Sequence, residues 1–337
     1  MGRDPLQAIP EDRRAAAQRA LSDVFGGVGG LVLTPITGGS SGALLFRAQD
    51  AGRQVVLRME GPEKPLFKPN PHRWLALRRA AEAGVTPPLW NLDEEAGVSV
   101  SSFVAAQPLS AHPGGAAGLA GELGRLTSEL QALEPLPELV DYRELVAGML
   151  RKIASLGVFA AGALDLHIEA LAQLSDRLDW DPERFVSAHN DPNPGNVLFD
   201  GERLWLIDWE SAYGNDPLVD LAIMTDGMAP TPELEDVLLT GWLGRRPDSV
   251  LKARLEGVRR LTRLYYACFL VDAGAEAARP DATPEPPPAA QVRDAISNGR
   301  LAKGSAAASL VLGQAYLAAF QTGATSPELR AALAPLT

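Results

Sequence analysis

Two polar runs joined by one turn signal constrain this chain more than any other feature. The first reads Ser187-Ala188-His189-Asn190-Asp191-Pro192-Asn193-Pro194-Gly195-Asn196, and the second reads Leu206-Ile207-Asp208-Trp209-Glu210. Between them, Asn196-Val197-Leu198-Phe199 and Glu202 to Ile207 are strand-like, with Asp200-Gly201 as a two-residue turn signal. A hairpin folded about that dipeptide sets Asn196 roughly opposite Trp205. Asp208 then lies about 10 Å further along, at about 3.3 Å of rise per residue. Either run alone reads as a polar turn whose Asp and Asn cap backbone groups. The combination is far more specific, because it gathers acids and an amide at one end of one hairpin.

The spacing fits His-x-Asp-x-x-x-x-Asn followed by an Asp at the end of an apolar strand. In that pattern the first Asp accepts a hydroxyl proton, the Asn holds Mg²⁺, and the second Asp holds metal, which are the parts phosphoryl transfer needs. These residues resemble the aminoglycoside phosphotransferase and choline kinase superfamily, closest in motif to the choline/ethanolamine kinase branch. Asn215-Asp216-Pro217-Leu218-Val219-Asp220-Leu221-Ala222 resembles that family's next segment. The resemblance runs from about Leu31 to about Gly274 and is sharp from His189 to Ala222.

The resemblance implies an α+β, bilobal, protein-kinase-like fold, with a small β-rich lobe and a large mainly helical one. We expect the boundary near Gln107, giving a nucleotide-binding lobe over 1–107 and a helical lobe with the catalytic hairpin over 108–337. It implies ATP as donor, Mg²⁺ as metal and a small-molecule hydroxyl as acceptor. An amino alcohol resembling choline or ethanolamine fits best, with an aminoglycoside or sugar as the alternative. By carry-over, Asp191 takes the hydroxyl proton, and Asn196 and Asp208 hold the metal. Glu210 ligates metal or contacts substrate, and His189 braces the loop. Asp220 reads as a helix cap or a loop-holding residue. Adenine is expected along Ser102 to Gln107.

Upstream, Val55-Val56-Leu57-Arg58 ends an apolar strand where kinases carry a phosphate-anchoring cation. A guanidinium suits that role through its paired donors, so Arg58 is the carry-over. Kinases orient this cation with a Glu from the following helix. Here that helix, His72 to Glu82, has no acid in its first turns. Glu60 and Glu63 are the substitutes, and the missing Glu leaves a silent nucleotide-binding relative as an alternative. Gly38-Gly39-Ser40-Ser41-Gly42 reads as a phosphate-covering loop. It also fits Gly-x-Ser-x-Gly, the nucleophile elbow of α/β-hydrolases, but the elbow needs a helix after the serine and Ala43 to Ala48 alternates like a strand.

The remaining elements follow the same order. Glu11 to Phe25 reads as a helix stopped by Gly26-Gly27, and Leu31–Ile36, Ala43–Ala48, Gln54–Met59 and Gly97–Val104 read as strands. Pro280 to Ala290 reads as an extended loop. Trp242, Tyr265, Tyr266 and Phe269 lie where relatives build an aromatic box for a cation, or else pack the core.

Composition narrows the partners. A net charge of -11 argues against nucleic acid, and one cysteine, Cys268, excludes a disulfide framework. No apolar run approaches the roughly 20 residues that span a bilayer, so no membrane partner is expected and the cytoplasm is the expected location.

Overall fold

A computed structural model describes residues 5–36, 42–61, 70–279, 282–302 and 304–324. Helix α1 (Glu11–Phe25) opens the fold and stops at Gly26, whose left-handed φ of 78° returns its N–H to the Ser22 carbonyl. Strands β1 (Val32–Ile36), β2 (Leu44–Gln49) and β3 (Gln54–Met59) follow, then α2 (Arg73–Glu82), β4 (Leu89–Asp93) and β5 (Val98–Ser102). These strands form one antiparallel sheet in the order β1-β2-β3-β5-β4.

The two-residue period of β3 sets its two faces. Val55, Leu57 and Met59 are buried with Ala17, Ala20 and Leu21 of α1 in a small core. Arg58, between Leu57 and Met59, therefore points away from that core.

The rest is mainly helical: α3 (Gly115–Gln131), α4 (Tyr142–Ser155), α5 (Asp165–Ser175), then strands β6 (Val186–Ala188), β7 (Val197–Phe199), β8 (Leu204–Leu206) and β9 (Tyr213–Asn215). The chain continues through α6 (Leu218–Met228), α7 (Pro232–Leu243), α8 (Ser249–Ala273), α9 (Ala289–Ser297) and α10 (Ala306–Ala324). The second core is larger, and Ala76 and Ala80 of α2 belong to it and not to the core under the sheet.

Helices α3 and α7 meet at glycines. A methyl on Gly124 would run into the Leu238 carbonyl, and one on Gly241 into the Gly121 carbonyl. Gly124→Ala gains about 1 kcal/mol of helix propensity, but the backbone clash outweighs it. The expected net loss is about 1–3 kcal/mol, seen as a lower denaturant midpoint; an unchanged midpoint would show that the helices separate without cost.

Several expectations need correction. The hairpin register differs: Leu198 faces Trp205, Val197 faces Leu206, and Ile207 donates to the Asn196 carbonyl at 3.0 Å, so Asn196 lies opposite Ile207 and not Trp205. The reason is Asp200, whose Oδ1 accepts the N–H groups of Glu202 and Arg203, both at 2.8 Å. That cap makes Asp200 the first corner of the turn and moves the tip to Gly201-Glu202. Strands β4, β6 and β9 were not expected; β6 and β9 are too short for periodicity to register.

Gly38, Gly39, Ser40 and Ser41 lie outside the described residues. Their flanks are β1 and β2, paired antiparallel, so the chain after this loop enters a strand and lacks the helix a nucleophile elbow requires. Glu63 and Pro280 also lie outside the described residues, and the expected loop ends two residues early because α9 begins at Ala289.

Candidate active site

Strand β6 pairs with β9, placing Ala188 beside Tyr213 and sending the next residues into the loop from His189 to Asn196. Asn190 adopts a left-handed φ of 62°, which Asn tolerates better than most side chains. Its amide Nδ2 donates to the carbonyls of Ser211 and Tyr213 at 3.0 and 3.3 Å, while its Oδ1 accepts from Asn215 Nδ2 at 2.7 Å. From beneath, Asp220 on α6 accepts the backbone N–H of His189 at 2.9 Å and of Asn190 at 2.7 Å. Burial pushes the Asp220 carboxyl up, and the two N–H donors with nearby His189 pull against that shift. Asp220 is thus a loop-holding residue; Asp216 instead supplies the Oδ1 that accepts the Leu218 N–H at the start of α6.

Asp220→Asn replaces one accepting oxygen by a donor and leaves a buried N–H unmatched. The expected cost is about 1–3 kcal/mol, with His189 and Asn190 amides losing hydrogen-exchange protection before the rest of the core. Unaltered protection at those two amides would contradict this.

His189 ties the loop to the hairpin. Its Nδ1 accepts the Asp191 N–H at 3.3 Å, so the proton sits on Nε2, which donates to the Ile207 carbonyl at 2.9 Å. The imidazole also packs 4.7 Å from the Trp209 ring.

Asp191 is surrounded by donors. Tyr266 on α8 donates its hydroxyl to Oδ1 at 2.5 Å, Asn193 donates to Oδ1 at 2.9 Å, and Asn196 donates to Oδ2 at 3.2 Å. Burial pushes the Asp191 carboxyl up, and the Tyr266 and Asn193 hydrogen bonds oppose it. Burial likewise raises the Tyr266 phenol well above its usual range, and the adjacent Asp191 adds to that. Asn193 also accepts the Gly195 N–H at 2.8 Å, locking the turn. Asn196 Nδ2 also donates to the Asp191 backbone carbonyl at 2.9 Å.

From the sheet, Arg58 Nη2 bridges Asp208 at 2.9 Å and Glu210 at 3.1 Å. This corrects one of the two expected substitutes, Glu60. Glu60 does not serve Arg58; its carboxylate takes two donors from Arg73 on α2, at 2.6 and 2.9 Å. The helix offers a cation to the strand instead of an acid, and Glu82 stays exposed. Asp208 has a left-handed φ of 69°, and with Asn190 it is one of two such non-glycine residues among those described. Both belong to this site, where local strain commonly collects.

The structure thus brings together Asp191, His189, Asn196, Asp208, Glu210 and Arg58. Among the described residues no group of three or more His, Cys, Asp or Glu side chains is arranged to hold a metal. The donors present are two carboxylates and one amide, hard oxygens of the kind Mg²⁺ prefers, and a guanidinium already bridges the two carboxylates.

The aromatic residues divide. Tyr265 stacks on Tyr142 at 5.6 Å and meets Tyr266 edge-on at 5.5 Å, while Tyr316 of α10 lies 6.3 Å from Tyr266. Trp242 belongs elsewhere, its indole donating to Gln131 between α7 and α3 at 2.9 Å. Phe269 packs on the edge of the large core. Sequence reasoning missed two contacts to Asp191, from Tyr266 and Asn193. The Pro192-Asn193-Pro194-Gly195 turn signal pointed to the second, and nothing local pointed to the first.

The model of the phosphotransferase enzyme family matches residues 32–255. The chain belongs to that family. This phosphotransferase-family chain is similar in structure to a choline/ethanolamine kinase family protein from Mesorhizobium loti, with TM-score 0.67 and 21% identity over 95% of this chain and 98% of that one. Choline kinase LicA from Streptococcus pneumoniae gives 0.59 and 19%, covering 80% and 93%. Spectinomycin phosphotransferase gives 0.57 and 13%, covering 89% and 98%. At these identities the likeness shows the shared bilobal fold. In sequence, a 51-residue stretch is 43% identical to protein LicA of Haemophilus influenzae, spanning 15% of this chain and only 19% of that protein.

Proposed function

We propose that this chain transfers the γ-phosphoryl group of ATP to a hydroxyl of a small molecule. Arg58 carries the reading: it reaches from β3 to Asp208 and Glu210, on the hairpin that follows Asp191 and Asn196. Phosphate-seeking charge, hard metal-type oxygens and a proton acceptor therefore share one cleft.

Asp191 takes the proton of the acceptor hydroxyl as its oxygen attacks the γ-phosphorus and the bond to the bridging oxygen breaks. Asn196 and Asp208, with Glu210 beside them, would hold Mg²⁺, which when bound neutralises charge on the phosphates. Arg58 exchanges its carboxylates for phosphate oxygens, and His189 keeps Asp191 and Ile207 in fixed relation. Adenine lies along the segment from Ser102 to Gln107, where the Gln107 N–H already bonds the Phe199 carbonyl at 2.7 Å. We place the boundary between lobes here because the sheet ends at Ser102 and the smaller core draws only on residues before it. Use of ATP fits a cytoplasmic location; among the described residues no helix is long and apolar enough to cross a membrane.

The acceptor we favour is an amino alcohol. Tyr266 bonds Asp191 and stands beside the Tyr265 and Tyr316 rings, and such rings hold a quaternary ammonium by cation–π attraction. An aminoglycoside would want several acids for its ammonium groups. The choline and choline/ethanolamine kinase descriptions of similar structures point the same way. The test is ATP consumption against a panel of choline, ethanolamine, sugars and aminoglycosides. Preference for an uncharged sugar would remove the amino alcohol and leave the phosphotransfer, whereas no consumption with any alcohol would remove both.

A further inference from the structure

We infer that Tyr266 keeps water off Asp191, so that an acceptor alcohol and not water takes the phosphoryl group. The inference rests on the phosphotransfer reading above. Its ground is the 2.5 Å hydrogen bond by which the Tyr266 hydroxyl occupies Asp191 Oδ1. A bond of that length to a carboxylate belongs to the strong, charge-assisted kind. Asn193 holds the same oxygen at 2.9 Å, and Asn196 holds Oδ2 at 3.2 Å. The carboxylate is thus already served by three donors, one of them a hydroxyl positioned as an acceptor's would be.

Water and an alcohol meet this arrangement unequally. Either gives its proton to Asp191 as it attacks the γ-phosphorus, and at Oδ1 it competes with the phenol. Water offers one hydrogen bond in exchange for the one it displaces. An acceptor alcohol brings the rest of its body, which gains contacts with the rings around Tyr266, and that remote binding covers the displacement. The Tyr266 ring is itself held, edge-on to Tyr265 at 5.5 Å and beside Tyr316 at 6.3 Å, so the hydroxyl is aimed and does not swing freely. In the hydrolysis it suppresses, water oxygen bonds to phosphorus, the bridging P–O bond breaks, ADP leaves and Asp191 takes the proton.

Tyr266→Phe removes the hydroxyl and keeps the ring. ADP release from Mg-ATP is measured with the full chain, first without acceptor and then with an alcohol accepted by the wild type. The expected result is a rise of about tenfold in acceptor-free ADP release relative to phosphoryl transfer, the factor one hydrogen bond to a charged group supports. The ratio does not depend on how much of the variant is folded. If both rates fall together and the ratio stays put, Tyr266 is only structural and the inference is overturned. If the wild type transfers phosphate to no alcohol, the phosphotransfer reading falls and takes this one with it; transfer with an unchanged ratio overturns only this one.

Discussion

Asp191→Asn lowers phosphoryl transfer by about 10²–10⁴-fold, the range over which a positioned general base contributes, and leaves nucleotide affinity nearly unchanged. Asparagine keeps the shape of the side chain, and its single oxygen still accepts from Tyr266 and Asn193 at the Oδ1 position. What disappears is the negative charge that, on the proposed mechanism, takes up the acceptor's proton, and the oxygen facing Asn196 Nδ2 is replaced by an amide that cannot accept from it. Because Arg58, Asp208 and Glu210 are untouched, nucleotide binding has no reason to weaken. Both quantities are read on one preparation, by nucleotide titration and by product formation at saturating ATP. Unchanged turnover would remove Asp191 from the mechanism. A loss of nucleotide affinity equal to the loss of rate would make it a binding residue instead.

Asp208→Asn should cost about 10²–10³-fold in rate, the size seen when one preorganised electrostatic group is removed from a reacting centre. Asparagine is the better probe than alanine here, because the left-handed φ of 69° at this position suits Asn and strains Ala. The variant should also need more Mg²⁺ to reach half its own maximal rate, since a neutral amide replaces the charged ligand proposed above. A magnesium titration separates the outcomes. A fall in rate with no change in Mg²⁺ requirement would assign Asp208 to Arg58 alone, and full activity would dissolve the hairpin argument.

Local signals were legible wherever two independent cues coincided. Helix α1 shows acids in its first turn and glycine after its last, and its span matches the expected one. Strand β3 combines β-branched residues with alternation, and its span, Gln54–Met59, matches the expected one. The family resemblance and the bilobal fold were carried by the dense pattern from His189 to Ala222.

The hairpin register was misjudged because Asp200 is ambiguous in sequence: it is equally good as a turn residue and as the residue that caps the turn. The long-range partners were invisible for a plainer reason. Arg58 meets Asp208 across 150 positions, and Tyr266 meets Asp191 across 75, distances over which no residue pattern repeats. The inverted pair on α2 was half visible, since the helix showed arginine where an acid was wanted, yet nothing local tied Arg73 to Glu60.

Arg58 also supplies the cleft with its own counter-ion. Asp208 and Glu210 stand two residues apart, and their repulsion would otherwise oppose bringing the hairpin under the sheet. With the guanidinium between them, the cleft behaves as a small ion exchanger kept in its loaded form. On the reading proposed above, Asp208 and Glu210 would hold an entering metal cation, and Arg58 would then pair with the polyanion that came with it. The number of opposite-charge contacts is nearly conserved in that swap. On that reading the site would fill and empty without large swings in electrostatic energy, and contact between sheet and hairpin would depend on whichever cation stands between Asp208 and Glu210.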